Sequence, residues 1–389
     1  MIDIKAAPFN LDDEGVKWVE ETKQNMTLEE KIGQLMIPIG YSADPGYLQH
    51  VMLDHHIGGI LYRCGESEEM QACHRWLQEH SKIPLFIAAN LEAGGDGIAT
   101  DGTSFGKQME IAATGDPEQA YRLGKVSCAE GKAVGCNWAF APVVDIDRNW
   151  RNPITNVRTY GDDPEFVLKC GLAYKRAADE ENVAVSIKHF PGDGCDEVDQ
   201  HILTSVNNLS CEEWDASYGK VYQGLIDAGV ESIMVGHICQ PAYSRRFRPD
   251  IRDEEIMPAT LSPELLQGLL RGQLGFNGLI VTDATHMAGI QNAASRKKAI
   301  PGAIAAGCDM ILFFNDPEED IAYVKAGIAD GIISRERLQD ALMRILGMKA
   351  MLGLHKREFP KKEGLSVVGC EQHHEAARKA ADEAITLVK

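Results

Sequence analysis

Eight short apolar runs recur along this chain with enough residues between them for a helix each, and that rhythm restricts the fold more than any other feature. The runs lie at 32–39, 59–62, 84–89, 137–145, 184–189, 232–237, 278–283 and 308–314. They are nearly continuous in apolar character rather than alternating, as strands buried on both faces of a parallel sheet must be. Between them, 117–134, 164–181, 210–228 and 262–274 repeat apolar residues at three and four and read as amphipathic helices. Their starts agree: Asp116-Pro117, Asp163-Pro164 and Ser262-Pro263 each set an acceptor side chain before a proline at the first helical position. Eight such units over about 300 residues predict a (β/α)8 barrel of the TIM type, with a doubly wound open sheet as the alternative. The expected division is a barrel over 1–355 and a linker over 356–389. From Glu371 that linker reads as an amphipathic helix running into a short apolar strand, the start of a further α/β domain.

With 39 Lys+Arg against 58 Asp+Glu, the 389 residues carry a net charge of −19, which argues against nucleic acid or an anionic membrane as partner. No stretch approaches the roughly 18 apolar residues needed to span a bilayer, and the acidic first thirty residues do not resemble a signal peptide. The ten cysteines contain no Cys-x-x-Cys pair and read as free thiols of a reducing compartment, so a cytoplasmic location is expected. No metal is implied, because His55-His56 and His373-His374 are adjacent rather than spaced four apart on a helix, and they read as surface pairs.

In a (β/α)8 barrel, chemistry gathers where the strands end. Those junctions are polar here: Asn90-Leu91-Glu92, Asp145-Ile146-Asp147-Arg148, Lys188-His189, His237 and Asp283. The loop after the fifth run contains Asp193 between two glycines, which suits a mobile loop, and Asp199 two residues before His201. In an extended loop that spacing lets the carboxylate orient the imidazole and favour its protonated form, a general acid/base pair; the plain alternative is a solvated loop. Asp283 closes the seventh run, where lost hydration must be replaced by donors or cations. It reads either as a nucleophile for a covalent sugar intermediate or as the N-cap of the next helix.

Several longer motifs carry a resemblance: MTLEEKIGQLM (26–36), FAPVVDIDRN (140–149), VRTYGDDPEFV (157–167), KHFPGDG (188–194) followed by Asp199-Gln200-His201, IMVGH (233–237) and LIVTDATHM (279–287). In that order they resemble the family-3 glycoside hydrolases, in particular the bacterial β-N-acetylglucosaminidase branch with its His/Asp dyad. The glycine-rich segment at 94–97 has no Gly-Lys-Ser/Thr after it and is no phosphate loop.

The resemblance implies a retaining β-glycosidase with Asp283 as nucleophile, His201 as acid/base and Asp199 as its partner. It implies that Lys188, His189, Arg158 and His237 hold sugar hydroxyls, with Asn90 and Glu92 completing the subsite. Asn90 stands where the family has Asp, forfeiting a charge-assisted hydrogen bond of about 1.5–3 kcal/mol; the arginine of the family's Asp-x-Glu-Gly-Gly-Arg is absent from the segment Asn90–Asp96, and Gln200 stands where serine is common. These departures point away from the standard peptidoglycan-recycling enzyme. Once His201 has given up its proton it is neutral, so a phosphate dianion meets no second carboxylate. Inorganic phosphate is therefore the expected co-substrate, with water as the alternative acceptor and no other cofactor. Substrates are β-linked N-acetylglucosamine or glucose. Two remote readings are a Schiff-base aldolase or decarboxylase using Lys188 and a non-catalytic sugar-binding barrel.

Overall fold

A computed structural model describes residues 2–62 and 65–387. Eight parallel strands form the barrel: β1 (Met36–Ile37 and Ile39–Gly40, interrupted at Pro38), β2 (Gly59–Tyr62), β3 (Phe86–Ala89), β4 (Trp138–Ala139), β5 (Ala184–Phe190), β6 (Ser232–Val235), β7 (Leu279–Ala284) and β8 (Met310–Leu312). Neighbours in sequence are neighbours in the sheet, and β1 closes it: Met36–Ile37 pairs with β8 while Ile39–Gly40 pairs with β2. Closure excludes the open doubly wound sheet and leaves no free edge. Helices surround the strands, and their starts are capped as the sequence indicates. Asp116 accepts from the Glu118 amide, Asp163 from Glu165 and Ser262 from Leu265. The helix expected at 164–181 spans Pro164–Glu181.

Four expectations need correction. The first apolar run begins too early, because Ile32 belongs to the helix Leu28–Gly33, which a Thr27/Glu30 capping box starts. The fourth run forms a strand of two residues, with Val143 adding an isolated bridge to Lys188; the Asn137 side chain accepts from the Ile87 amide and so completes the β3–β4 seam. In the tail, the helix Glu371–Glu383 is present, but 385–387 form no strand, and Val388 and Lys389 lie outside the described residues. Nor is His373 a plain surface residue: its Nδ1 lies 2.7 Å from the buried Glu130, which also accepts from Thr103, so the tail is docked on the loop after β3.

Nine cysteines are described and all are free thiols; Cys64 lies outside the described residues. Among the described residues no helix is long and apolar enough to cross a membrane.

Near the N-terminal ends of the strands, the β7–β8 pair is stapled by a buried carboxylate. Asp309 accepts from the Ile280 amide at 2.8 Å and from Arg271 at 2.9 Å, and it is paired with Arg337 as well. Removing one partner of a buried ion cluster leaves uncompensated charge, which costs about 3–5 kcal/mol. Asp309→Asn is expected to lower unfolding free energy by about that amount in urea titration, and a loss under 1 kcal/mol would refute the staple.

Candidate active site

The C-terminal ends of β3, β4, β5, β6 and β7 bring together most of the polar junction residues. Glu92, after β3, is the centre of one group. Arg158 grips it with two donors, Nε to Oε2 at 3.0 Å and Nη2 to Oε1 at 2.9 Å. Lys188 Nζ lies 2.6 Å from Glu92 Oε1 and donates to Asn90 Oδ1 at 3.3 Å. Burial would raise the Glu92 carboxyl, but Lys188 and Arg158 outweigh it and hold the group far below the usual carboxylate range. Burial in turn draws Lys188 below an ordinary lysine, against the pull of Glu92. Its amine is thus committed to an ion pair, whereas Schiff-base chemistry requires a free, accessible one. Asn90, Glu92 and Arg158, with Asp96, Lys107 and Glu110, line a cavity of about 570 Å³.

A second group centres on Asp145, at the end of the run carrying β4 and fully buried. Its Oδ2 accepts from His189 Nδ1 at 2.7 Å, and its Oδ1 accepts from the backbone amides of His189 (3.0 Å) and Asp193 (2.8 Å). Because Nδ1 is spent on Asp145, His189 presents Nε2 toward Asp283 Oδ2, 3.9 Å away. Asp283 keeps 16% of its side chain exposed. Burial pushes its carboxyl up, yet His189, His237, the Ala284 amide and Lys188 together draw it below the usual value, so it is held ionised. The N-cap alternative falls away: the next helix is Ala288–Gln291, capped at Met287, while Asp283 Oδ1 accepts from its neighbour Ala284 at 2.7 Å.

His237 behaves differently from the expectation that it holds a sugar hydroxyl. It is fully buried, with Nδ1 2.8 Å from Thr260 Oγ1 and Nε2 donating to the Ala284 carbonyl at 3.0 Å. Both nitrogens are used to brace the backbone that follows Asp283. Burial lowers its pKa, against the pull of Asp283 and the Ala284 carbonyl.

The expected dyad forms. His201 Nδ1 and its own backbone amide both donate to Asp199 Oδ1, at 2.7 and 2.8 Å, leaving Nε2 free of this pair. His201 is 56% exposed. The loop carrying it lies against the segment after β7, where the Ala288 amide donates to the His201 carbonyl at 3.0 Å. The glycines flanking Asp193 serve a fixed base rather than a mobile one. Gly192 (φ +117°) leaves no room for a Cβ beside the Tyr218 ring, and Gly194 (φ +103°) none beside the Ile146 carbonyl. Asp193 is 1% exposed. Burial, with Asp145 next to it, pushes its carboxyl up to about 7.

No role is assigned from sequence to Asp145, beyond its place at a polar strand end, nor to Asp193 or Gln200. Asp145 carried a signal, as a carboxylate at a strand end inside FAPVVDIDRN. For Asp193 and Gln200 the pairing is tertiary.

Residues 27–348 match the glycosyl hydrolase family 3 N terminal domain. The chain belongs to glycosyl hydrolase family 3. It is 48% identical over 390 residues to a beta-N-acetylglucosaminidase/beta-glucosidase of Cellulomonas fimi, covering 100% of this chain and 69% of that protein. A beta-hexosaminidase A of Pseudoalteromonas piscicida is 31% identical over 328 residues, which is 80% of this chain and 54% of that one. Among solved structures, the beta-glucoside phosphorylase BglX bound to 2FGlc superposes with a TM-score of 0.97 at 45% identity, over 99% of this chain and 70% of BglX. A family 3 beta-N-acetylglucosaminidase from Paenibacillus sp. str. FPU-7 gives 0.84 at 28% identity, over 93% and 70%. As a family 3 glycoside hydrolase barrel, the chain is an enzyme, and the polar strand ends form its candidate active site.

The Asp145–His189 pair yields a direct test. With Asn at 145, the acceptor that fixes the His189 tautomer becomes ambiguous, as does the ring's orientation toward Asp283. Asp145→Asn is expected to lower kcat/KM by about 10²–10⁴-fold, by analogy with loss of a tautomer-fixing aspartate, while the fold survives as judged by circular dichroism. An activity within threefold of the unmodified protein would exclude this role.

Proposed function

We propose that this chain is the catalytic barrel of a retaining β-glycosidase that transfers terminal β-linked glucose or N-acetylglucosamine through an ester on Asp283, preferentially to inorganic phosphate. The observation that carries the reading is the His201–Asp199 pair on a loop bonded to the segment that follows the partly exposed, ionised Asp283. Usual retaining glycosidases pair two carboxylates; here the second position offers an imidazole.

In the first step Asp283 attacks the anomeric carbon while His201 Nε2 gives its proton to the departing glycosidic oxygen, and the aglycone leaves as an alcohol. Glu92, Arg158 and Lys188 form a rigid, charged wall with Asn90 at its edge, suited to fixing sugar hydroxyls. His189 Nε2 is directed to Asp283 and helps keep it anionic. In the second step phosphate attacks the ester carbon, Asp283 leaves, and a sugar 1-phosphate is released. His201 is neutral at that stage and takes up a proton from the incoming acceptor. Arg158 and Lys188 are both committed to Glu92, so phosphate is received on the His201 side rather than by these cations. The likeness to the beta-glucoside phosphorylase BglX supports this acceptor. The names of the Cellulomonas fimi and Paenibacillus proteins support the sugar classes and, with water as acceptor, hydrolysis as the second reading.

The deciding experiment gives aryl β-glucoside and aryl β-N-acetylglucosaminide to the protein with and without phosphate and identifies the released sugar. Sugar 1-phosphate as main product is expected, and free sugar alone in phosphate buffer overturns the acceptor assignment. Asp283→Asn is expected to abolish turnover of both glycosides; persistence of either refutes the nucleophile.

A further inference from the structure

Gln200, the residue immediately before His201, is 1% exposed although its neighbour projects into solvent. Each end of its side-chain amide meets a partner of the opposite kind. Nε2 donates to Asp193 Oδ2 at 3.1 Å, and Oε1 accepts from the His237 backbone amide at 2.9 Å. Its carbonyl accepts from the Gly289 amide at 3.2 Å, one residue along from the Ala288 bond to the His201 carbonyl. Asp193 is in turn held by Asn152 Nδ2 at 3.0 Å and the Gly194 amide at 2.8 Å. Gln200 therefore ties three elements to one point: the base of its own loop after β5, the end of β6, and the turn after β7 that follows Asp283. Thr204 adds a bond to the Gly289 carbonyl at 2.6 Å, and Ser205–Val206 pairs with Ile238–Cys239, so the loop is fastened on both sides of His201.

A buried amide satisfied at both ends has one orientation. Flipped, it would set Nε2 against the His237 N–H and Oε1 against the Asp193 carboxylate, leaving both contacts repulsive. An exposed imidazole on an unfastened loop would sample many positions, whereas proton transfer to a leaving oxygen requires about 3 Å and a fixed direction. We propose that Gln200 is the positioning residue of the acid/base step, clamping the loop so that the exposed His201 ring is held over the reacting bond. The role rests on the reading of His201 as acid/base. A serine here would be too short to span Asp193 and the β6 end, so the clamp requires the length of the glutamine side chain.

General acid catalysis contributes typically 10²–10⁴-fold and matters only when the leaving group is poor. Gln200→Met keeps the volume and removes both polar contacts. Asp193→Asn presents a second amide to Gln200, so that whichever way either amide turns, one of the bonds at Asp193 or at the His237 amide is lost. Both are compared with the unmodified protein and His201→Ala on 2,4-dinitrophenyl and phenyl glycosides, of whichever sugar series the unmodified protein turns over. Melting temperatures are recorded alongside. The clamp predicts that kcat/KM for the phenyl glycoside falls at least tenfold further than for the dinitrophenyl glycoside in Gln200→Met, and in the same sense in Asp193→Asn. If Gln200→Met fails to fold, Asp193→Asn alone carries the test. An equal loss on both substrates, or no loss, overturns the positioning role, because a merely structural contribution would not depend on the leaving group. If His201→Ala shows no leaving-group dependence, the acid/base reading itself fails, which separates the two outcomes.

Discussion

A carboxylate buried at the end of a parallel strand has lost its water and survives as an ion only where donors replace that water. The catalytic face of this barrel is organised around such groups. Glu92 is held by Arg158 and Lys188 and Asp145 by His189 and two backbone amides, while Asp193, whose carboxyl burial pushes up to about 7, is held by Asn152, Gly194 and Gln200. Each fixes a cation, an imidazole or a loop in place. Asp283 is the most accessible of the strand-end carboxylates gathered around this centre, and it is left without a cation at hydrogen-bonding distance. That difference separates a group that can react from groups that hold the frame.

The arrangement also separates the two halves of the proposed chemistry. The nucleophile side is rigid, because His189, His237 and the strand ladder fix Asp283 and its neighbours from three directions. The acid/base side is exposed, and its precision depends on a loop. Exposure gives an acceptor access, while the bonds from Gln200 and Thr204 limit the freedom that exposure would otherwise bring. With a histidine/aspartate pair in place of a single carboxylate, the proposed chemistry puts an imidazole nearest the acceptor, and the Asp199 charge lies behind it on Nδ1.

Much of this was legible in the chain. Continuous apolar runs fixed eight buried strands, and the capped starts at Asp116, Asp163 and Ser262 located the helices between them, because both signals are local. Polar strand ends pointed to Asn90, Glu92, Lys188, His189 and Asp283, and the two-residue spacing of Asp199 and His201 produced their hydrogen bond. Where the reading went astray, long-range partners were responsible. Ile32 is apolar for a helix face rather than a strand, and a side chain of Asn137 stands in for ladder bonds. The tail histidine His373 is drawn onto Glu130, 243 residues away in sequence.

The sequence by itself determined eight buried strands, the helices between them and the strand-end location of the polar residues, while closure into a barrel rather than an open sheet was decided by the tertiary structure. Spacing and hydrophobic period are read within a few residues, so these are accessible to local inspection. Only the tertiary structure decided the duties of neighbouring polar residues. His237 turned inward to brace the backbone, Lys188 was bound to Glu92, and Gln200 joined three separate strand ends. A polar side chain's role is set by whichever donor or acceptor folding brings to it, and those partners lie 23 and 47 residues away for His237 and 7 and 37 residues away for Gln200.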